Sequence, residues 1–491
     1  MRSLARAALA TASARGRAIV ALVAAPLALA AIAGVVAGVL TERAGFGGIA
    51  ILAAIPLAIA GALIAGRALL SAATSVRRTH RARWLANKLE PLRLEVTADA
   101  PARVEIIHPA IDLQHFFGGF IAVFNLARRL AERGHRVRLI ALEGSPPRDW
   151  RSRLASYEGI GASADDLEVV FAADRRRPIE ISPADSLIAT HFTAAHVAAA
   201  ALERVRAERF LYLIQEYEPF IFPMGSAAAL ARQSYDLPHT ALFSTALLRD
   251  WFAAERIGVF AGGADEGELL AASFDNAITP VGPVTAEALR RPGPRRLLFY
   301  ARPEEHAARN LFELGAMALD RALAAGRFAG WALAGVGTVE PGAGTLRLPE
   351  SGAAIELLPR GGQADYARLL ASFDVGLALM HTPHPSLVPI EMAAAGMPTV
   401  TSAFANKDGA ALARISSNLI GAEPTVAGIA AALALAEGRA DDLEGRAAGS
   451  RVGWPSSWDE ALDDAVIDRV ERLAGIAAAT TAAPRSAAPR G

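Results

Sequence analysis

Between residues 101 and 450, short apolar runs alternate with amphipathic stretches twice over, and Pro292-Gly293-Pro294 separates the two sets. That alternation points to parallel sheets, because a parallel strand pair needs a crossover long enough to hold a helix. In the first set Val104, Ile106 and Ile107 open a strand that ends at His108-Pro109. Arg136–Leu142, Ser186–Thr190, Phe210–Ile214 and Ala241–Ser244 read as further strands. Phe120, Val123, Phe124, Ala127 and Leu130 recur at helical spacing, and Gly134 stops that helix. In the second set Leu297–Tyr300, Gly330–Ala334, Ile355–Leu358, Val375–Leu379 and Thr399–Thr401 read as strands. Helices are expected at Leu311–Ala324, Gln363–Ser372 and Val388–Ala395. The expected fold class is α/β: two facing Rossmann-like domains, 101–290 and 291–450, with a cleft between them. A terminal helix, Asp459–Leu473, lies in 451–474, and the Ala/Thr/Pro/Arg-rich tail 475–491 reads as disordered.

Ahead of these domains, Ala18–Thr41 and Ala44–Gly66 carry no charge. Each matches the roughly 20 residues a helix needs to cross ~30 Å of hydrocarbon. A signal peptide would show one shorter apolar region and a cleavage site, and a buried helical pair would need equally apolar partner helices that the rest of the sequence does not offer, so residues 1–75 read as a transmembrane helical hairpin. Arg2, Arg6, Arg15 and Arg17 precede it, while Arg67, Arg77, Arg78, Arg81, Arg83 and Lys88 follow. The positive-inside bias then puts both ends in the cytoplasm, with the protein in the inner membrane. Residues 76–100 form a basic juxtamembrane linker along the anionic leaflet, with Trp84 as an interfacial anchor.

Composition removes several classes of function. Lys+Arg and Asp+Glu number 50 each among 491 residues, so the basic excess of a nucleic-acid binder is missing. There is no cysteine, hence no disulfide framework, thiolate zinc site or cysteine nucleophile. No P-loop and no complete dinucleotide glycine fingerprint occurs.

Three segments can carry chemistry. In His115–Phe120, Gly118 and Gly119 would let backbone approach a ligand at a strand-to-helix junction, or would simply make a tight turn. In Phe299–Pro303, Arg302 stands at the carboxyl end of a strand, and Arg309-Asn310 opens the next helix. Two such arginines can neutralise a diphosphate with forked donors; the alternative is a solvated surface. In His381–Val400, a His/Pro loop leads into a helix that begins near Leu387, with amides at Ser386–Val388 aimed at the cleft. Glu391 is the only Asp, Glu, Lys or Arg from Val375 to Ala405. An isolated carboxylate there wants a partner, which two sugar hydroxyls would supply, or else it complements the helix dipole. His191, Gln215 and Glu216 end strands on the same cleft edge. Glu216 or Glu218 would take a proton from an acceptor, and His191 would approach it or stay a satisfied buried histidine.

The strings Gln-Glu-Tyr-Glu-Pro-Phe (215–220), Tyr-Ala-Arg-Pro (300–303), Arg-Asn-Leu-Phe-Glu-Leu (309–314), His-Pro-Ser-Leu (384–387) and Asn-Lys-Asp (406–408) resemble the WsaF-type rhamnosyltransferases. These are a branch of glycosyltransferase family 4, and the likeness spans roughly residues 103–435. It implies a GT-B fold whose last helix crosses back to the first domain. It also implies transfer of rhamnose from dTDP-L-rhamnose, with retention, to a cell-surface glycan or lipid-linked acceptor, without a cofactor. By motif, Arg302 and Arg309 fall on the family's diphosphate cations, Ser386 and Leu387 on its amide donors, and Glu391 on its ribose ligand. Gly118 and Gly119 would face the reacting centre. Asn310, Arg360, His384 and Pro385 complete the implied donor set, and His191 and Glu216 join Arg302 and Arg309 as candidate catalytic residues. Where the family carries a first glutamate this chain has Pro383, with His381 or His384 as substitutes. No Asp-x-Asp occurs, so charge on the leaving diphosphate falls to arginines and amides rather than a metal. Two other readings stay open: the same fold with a mannosyl or glucosyl donor, and a catalytically silent scaffold in a glycan-assembly complex.

Overall fold

The computed structural model describes residues 83–111, 118–144, 148–155, 157, 160–161, 167–338, 344–359 and 361–476. The described residues from Leu89 onward belong to one compact unit. The expected membrane hairpin lies outside the described residues, as does nearly all of the tail. Among the described residues no helix is long and apolar enough to cross a membrane.

Strands made of Val, Ile, Leu and Phe with no exposed face must be covered on both sides, and they form parallel sheets. In chain order the first strands are β1 (Leu94–Val96), β2 (Val104–His108), β3 (Val137–Ala141), β4 (Glu168–Phe171) and β5 (Ile179–Ile181). They are followed by β6 (Ser186–Ala189), β7 (Phe210–Ile214), β8 (His239–Ser244) and β9 (Ala271–Phe274). Seven of them make one sheet in the order β4-β3-β2-β6-β7-β8-β9, parallel throughout. β2, β3, β7 and β8 are buried along their whole length. β1 pairs with β5 in a small separate sheet, so part of the stretch read as a linker already belongs to this unit.

The second sheet comprises β10 (Arg296–Tyr300), β11 (Ala332–Val336), β12 (Gly344–Arg347), β13 (Ala354–Leu357), β14 (Val375–Leu377), β15 (Thr399–Ser402) and β16 (Leu419–Ala422). Its order is β12-β13-β11-β10-β14-β15-β16, with only β12 antiparallel. Both sheets reverse winding direction once, at β2/β6 and at β10/β14. Such switch points leave a crevice beyond the strand carboxyl ends.

Helices that matter for the site are α1 (Gly118–Glu132), α2 (Phe192–Ala201), α3 (Phe312–Ala324), α4 (Gln363–Leu370), α5 (Leu387–Ala394), α6 (Val426–Gly438), α7 (Trp458–Ala461) and α8 (Asp464–Leu473). The expected single terminal helix is broken. Asp463 accepts from the Val466 amide at 2.8 Å and so caps a fresh helix, α8. Both pieces pack on the first domain: Trp458, Leu462, Ile467, Val470 and Leu473 share a core with Val123, Leu130 and Leu139. Arg129 and Arg133 of the α1 region hold the return segment through Leu462 O at 2.9 Å and Asp468 at 2.7 Å.

The crossover between domains comes earlier than Pro292-Gly293-Pro294 suggests. Ile278 already packs with Ile390 and Trp454 of the second domain. Val284 and Leu289 come so near Gly396 that a Cβ there would lie 3.0 Å from each, and its φ of +81° also favours glycine. Outgoing and returning chains touch: Ile278 N–H donates to Pro455 O at 3.1 Å and Trp454 Nε1 to Asn276 O at 2.7 Å.

Candidate active site

The carboxyl edges of the two sheets border one cleft of about 1900 Å³. The first domain contributes His108, Gly119, Thr190, His191, Gln215 and Glu216. The second contributes Arg302, Arg309, Asn310, His384, Ser386, Leu387 and Glu391. The structure thus gathers most of the expected residues into one place. Pro385 is not on the cleft wall, Gly118 is the first residue of α1, and Arg360 lies outside the described residues.

Arg302 leaves β10 buried, and its guanidinium is oriented on three sides. Nε donates to Glu304 at 3.0 Å, Nη1 to the Tyr300 hydroxyl at 3.2 Å and Nη2 to His306 Nε2 at 2.9 Å. Burial works against its charge, yet the neighbouring Tyr300 and Glu304 oxygens hold its pKa above the ordinary value. Gly337 makes room: a Cβ there would meet the Tyr300 ring at 2.5 Å and Arg302 Cδ at 3.0 Å, at a φ of +113°. Arg309 donates from Nη1 to His306 O at 2.9 Å. Asn310 clamps the switch point, its amide donating to Leu379 O at 3.1 Å.

The loop before α5 departs from expectation. Ser386 adopts φ +66°, which turns its amide onto His384 Nδ1 at 3.0 Å, so that N–H is spent within the loop rather than offered to the cleft. With Nδ1 accepting, His384 carries its proton on Nε2. Burial, followed by the nearby Lys407 and Arg309 charges, pushes its pKa down to about 3. A neutral imidazole cannot stand in for a carboxylate. Nor does His381 face the cleft; its ring packs edge-on against Phe404.

A carboxylate does reach this loop, from the other domain. Glu216 Oε2 accepts from Thr382 Oγ1 at 3.2 Å and lies 3.6 Å from Arg309 Nε, while Oε1 accepts from the Tyr217 amide at 3.1 Å. Burial raises its pKa against the pull of Arg309 and Lys407. Lys407, fully buried, donates to Met380 O and His384 O, and burial pushes its pKa down to about 7.

Glu391 is buried on the cleft wall, accepting from Thr279 N–H at 2.9 Å and the Tyr366 hydroxyl at 3.1 Å. These protein donors supply part of what sugar hydroxyls were expected to supply. Burial raises its pKa. His191 caps α2: its Nδ1 accepts from the Thr193 amide at 3.3 Å, and Nε2 lies 3.2 Å from Glu218 Oε2. Both ring nitrogens are therefore engaged within the first domain, the satisfied state weighed for it from sequence. Glu218 also receives the Phe192 amide at 2.9 Å and the Tyr212 hydroxyl at 3.0 Å.

Lys407, Tyr366, Thr382, His108 and Thr190 were not singled out as site residues from sequence. Lys407 lies in the Asn-Lys-Asp string that carried the resemblance, and His108 was visible only as a strand end. Thr382 lies within His381–Val400, Tyr366 within the expected helix Gln363–Ser372 and Thr190 at the end of the expected strand Ser186–Thr190, but nothing in their residue type marks them as ligands.

Comparison with known proteins agrees with this architecture. The N-terminal domain of WsaF matches residues 103–246 and its C-terminal domain residues 295–434. The O-antigen biosynthesis protein RfbC of Myxococcus xanthus is 30% identical over 371 residues, 71% of this chain. This chain spans only 26% of that relative's length. HepE of Anabaena, solved with UDP and glucose and again with UDP-glucose, superposes with a TM-score of 0.51 in each case. Identity is 13%, and the match covers 77% of this chain and all of HepE, so the likeness is one of fold. With the two WsaF domains matched in order onto the two facing sheets, the chain belongs to the WsaF family and has the GT-B fold.

Proposed function

We propose that this chain is a glycosyltransferase that moves rhamnose from dTDP-L-rhamnose to a surface-glycan or lipid-linked acceptor, with retention and without a metal, while tethered to the inner membrane. The observation that carries the donor half is the clustering of Arg302, Arg309, the start of α5 and Glu391 on one wall of the cleft. Glycosyl transfer expels a diphosphate as positive charge develops at the anomeric carbon, so fixed cations near the leaving group lower the barrier most. A carboxylate can accept about four hydrogen bonds, and Glu391 accepts from the Thr279 amide and side chain and from the Tyr366 hydroxyl, which leaves capacity for one ribose hydroxyl. Rhamnose rests on the motif resemblance; a role in surface-glycan assembly agrees with the RfbC relative, and tethering rests on the two charge-free runs. A tether would raise the local concentration of enzyme around a lipid-linked acceptor.

Calorimetry on the full chain with dTDP-L-rhamnose, UDP-glucose and GDP-mannose tests the donor. Preferential binding of dTDP-L-rhamnose is expected; preference for another donor reassigns the sugar, and no binding at all leaves the silent scaffold. For topology, a cytoplasm-only reporter fused to the C-terminus should be active, and an active periplasmic reporter there rules the hairpin out.

A further inference from the structure

The first domain's switch-point crevice is occupied by His108, at the end of β2, and Thr190, just beyond β6. Thr190 donates its one hydroxyl proton to Ile107 O at 3.2 Å. Its oxygen stands 2.6 Å from His108 Nδ1. With the hydroxyl proton on Ile107 O, Thr190 accepts from that nitrogen, and the tautomer assigned here carries its proton on Nδ1 and leaves Nε2 a bare lone pair. His108 is buried, it lines the cleft, and Nε2 has no hydrogen-bond partner among the described residues. Burial keeps the ring neutral, with a pKa pushed down to about 3. Its edge-on contact with Phe120, centroids 4.9 Å apart, fixes the ring plane.

Gln215 Oε1 is a second acceptor of the same kind, buried and unpartnered among the described residues. It lies 3.1 Å from where a Cβ on Gly119 would sit. Gly119 and Phe120 are adjacent on α1, so both acceptors flank one helix start. Two neutral acceptors select a ligand that donates, which a hydroxyl does and a diphosphate does not. The cations suited to a diphosphate are on the opposite sheet.

We propose that His108 Nε2, with Gln215 Oε1, receives a hydroxyl of the acceptor sugar and orients it toward a donor held by the second domain. This rests on the transferase reading above. A neutral lone pair fixes the hydroxyl's direction while leaving its oxygen available to the anomeric carbon; as that bond forms, the anomeric carbon's bond to the diphosphate breaks and the hydroxyl proton passes to the departing phosphate oxygen. An unmet buried acceptor also penalises any acceptor lacking a hydroxyl there.

The test variant is His108→Asn, whose amide nitrogen takes the place of Nδ1 and keeps the bond to Thr190 while removing Nε2. Gln215→Leu removes the second acceptor at a half-buried position, and it answers the same question if the histidine variant does not fold. The acceptor probe is membrane from cells lacking this chain, titrated against radiolabelled donor. Either variant should raise the half-saturating amount of membrane by about three- to tenfold, the size of one neutral hydrogen bond. Donor affinity by calorimetry should stay within about twofold, and His108→Gln, whose amide reaches the Nε2 position, should restore part of the loss. An equal fall in donor affinity overturns the proposal, because Nε2 would then read the donor's own sugar. Unchanged membrane saturation in folded variants overturns it too. A wild-type chain that binds no donor sinks the transferase reading itself, and this assignment with it.

Discussion

Glu216 and Thr382 join the two domains across the cleft: the threonine hydroxyl donates to the Glu216 carboxylate at 3.2 Å, although 166 positions separate them in the chain. The contact falls beside Pro383, where the motif resemblance lacks its first glutamate. The carboxyl group nearest that loop thus comes from the other domain, with Arg309 Nε at 3.6 Å and Lys407 within electrostatic reach.

Removing one partner of a buried charge network leaves the others uncompensated, so Glu216→Ala should cost about 3 kcal/mol of stability. Lys407→Met in the same chain should return part of that loss, since the buried cation goes with its counter-charge. Urea unfolding of both single variants and the double variant measures the coupling. Strictly additive losses would mean that Glu216 and Lys407 do not interact.

Arg302 and Glu391 should fail in different ways. Arg302 faces charge that grows as the glycosidic bond lengthens, so Arg302→Ala should depress kcat even at saturating donor, and Arg302→Lys should recover only part of it. Glu391 would hold ribose equally in ground and transition states, so Glu391→Ala should mainly weaken donor binding, about ten- to a hundredfold. Because Glu391 also receives Thr279 and Tyr366, the melting temperature must be compared first. Normal turnover in Arg302→Ala, or unchanged donor affinity in a folded Glu391→Ala, removes that residue from the site.

Glu218 makes stability depend on pH. Burial raises its carboxyl from 4.5 to about 8, against the Phe192 amide and the Tyr212 hydroxyl, with His191 Nε2 also facing it. A group that holds its proton more tightly when folded stabilises fully below its unfolded pKa, and that contribution fades as pH climbs through the folded value. The Glu218 contribution should therefore fade between about pH 5 and about pH 8, so the melting temperature of Glu218→Gln, which cannot ionise, should fall less, or rise more, across that range than the wild type's. An identical slope in the variant would show that another group titrates.

The sequence has no Asp-x-Asp, and the cleft arginines can meet the charge of the leaving diphosphate, so transfer should persist in EDTA. Abolition by EDTA and restoration by magnesium or manganese would contradict it.

Sequence pattern exposed the two sheets because their central strands are aliphatic runs bounded by turns, and it placed Arg302 because a charge directly after such a run must lie at a strand end. It did not expose β9 or β16, whose Ala-Ala-Ser-Phe and Leu-Ile-Gly-Ala look like neither strand nor helix until neighbours bury them. The Ser386 amide was misread because its positive φ occurs without glycine, so nothing in the residue type announces the turn toward His384. Lys407 was illegible for another reason. Its chemistry comes from complete burial and from Glu216, a residue that only the folded chain brings near.

The paired crossovers at Ile278 and Pro455 have a consequence for how the protein is made. The second domain is threaded into the first as an insertion, so the ribosome finishes it while the first still lacks α7 and α8. Val123, Leu130 and Leu139 wait with one side uncovered until Trp458 through Leu473 emerge. The usual order of amino-terminal domain first is thereby reversed for the final closure. A nascent chain arrested near residue 450 should bind chaperones and be cut within the first domain by protease, while its second domain resists.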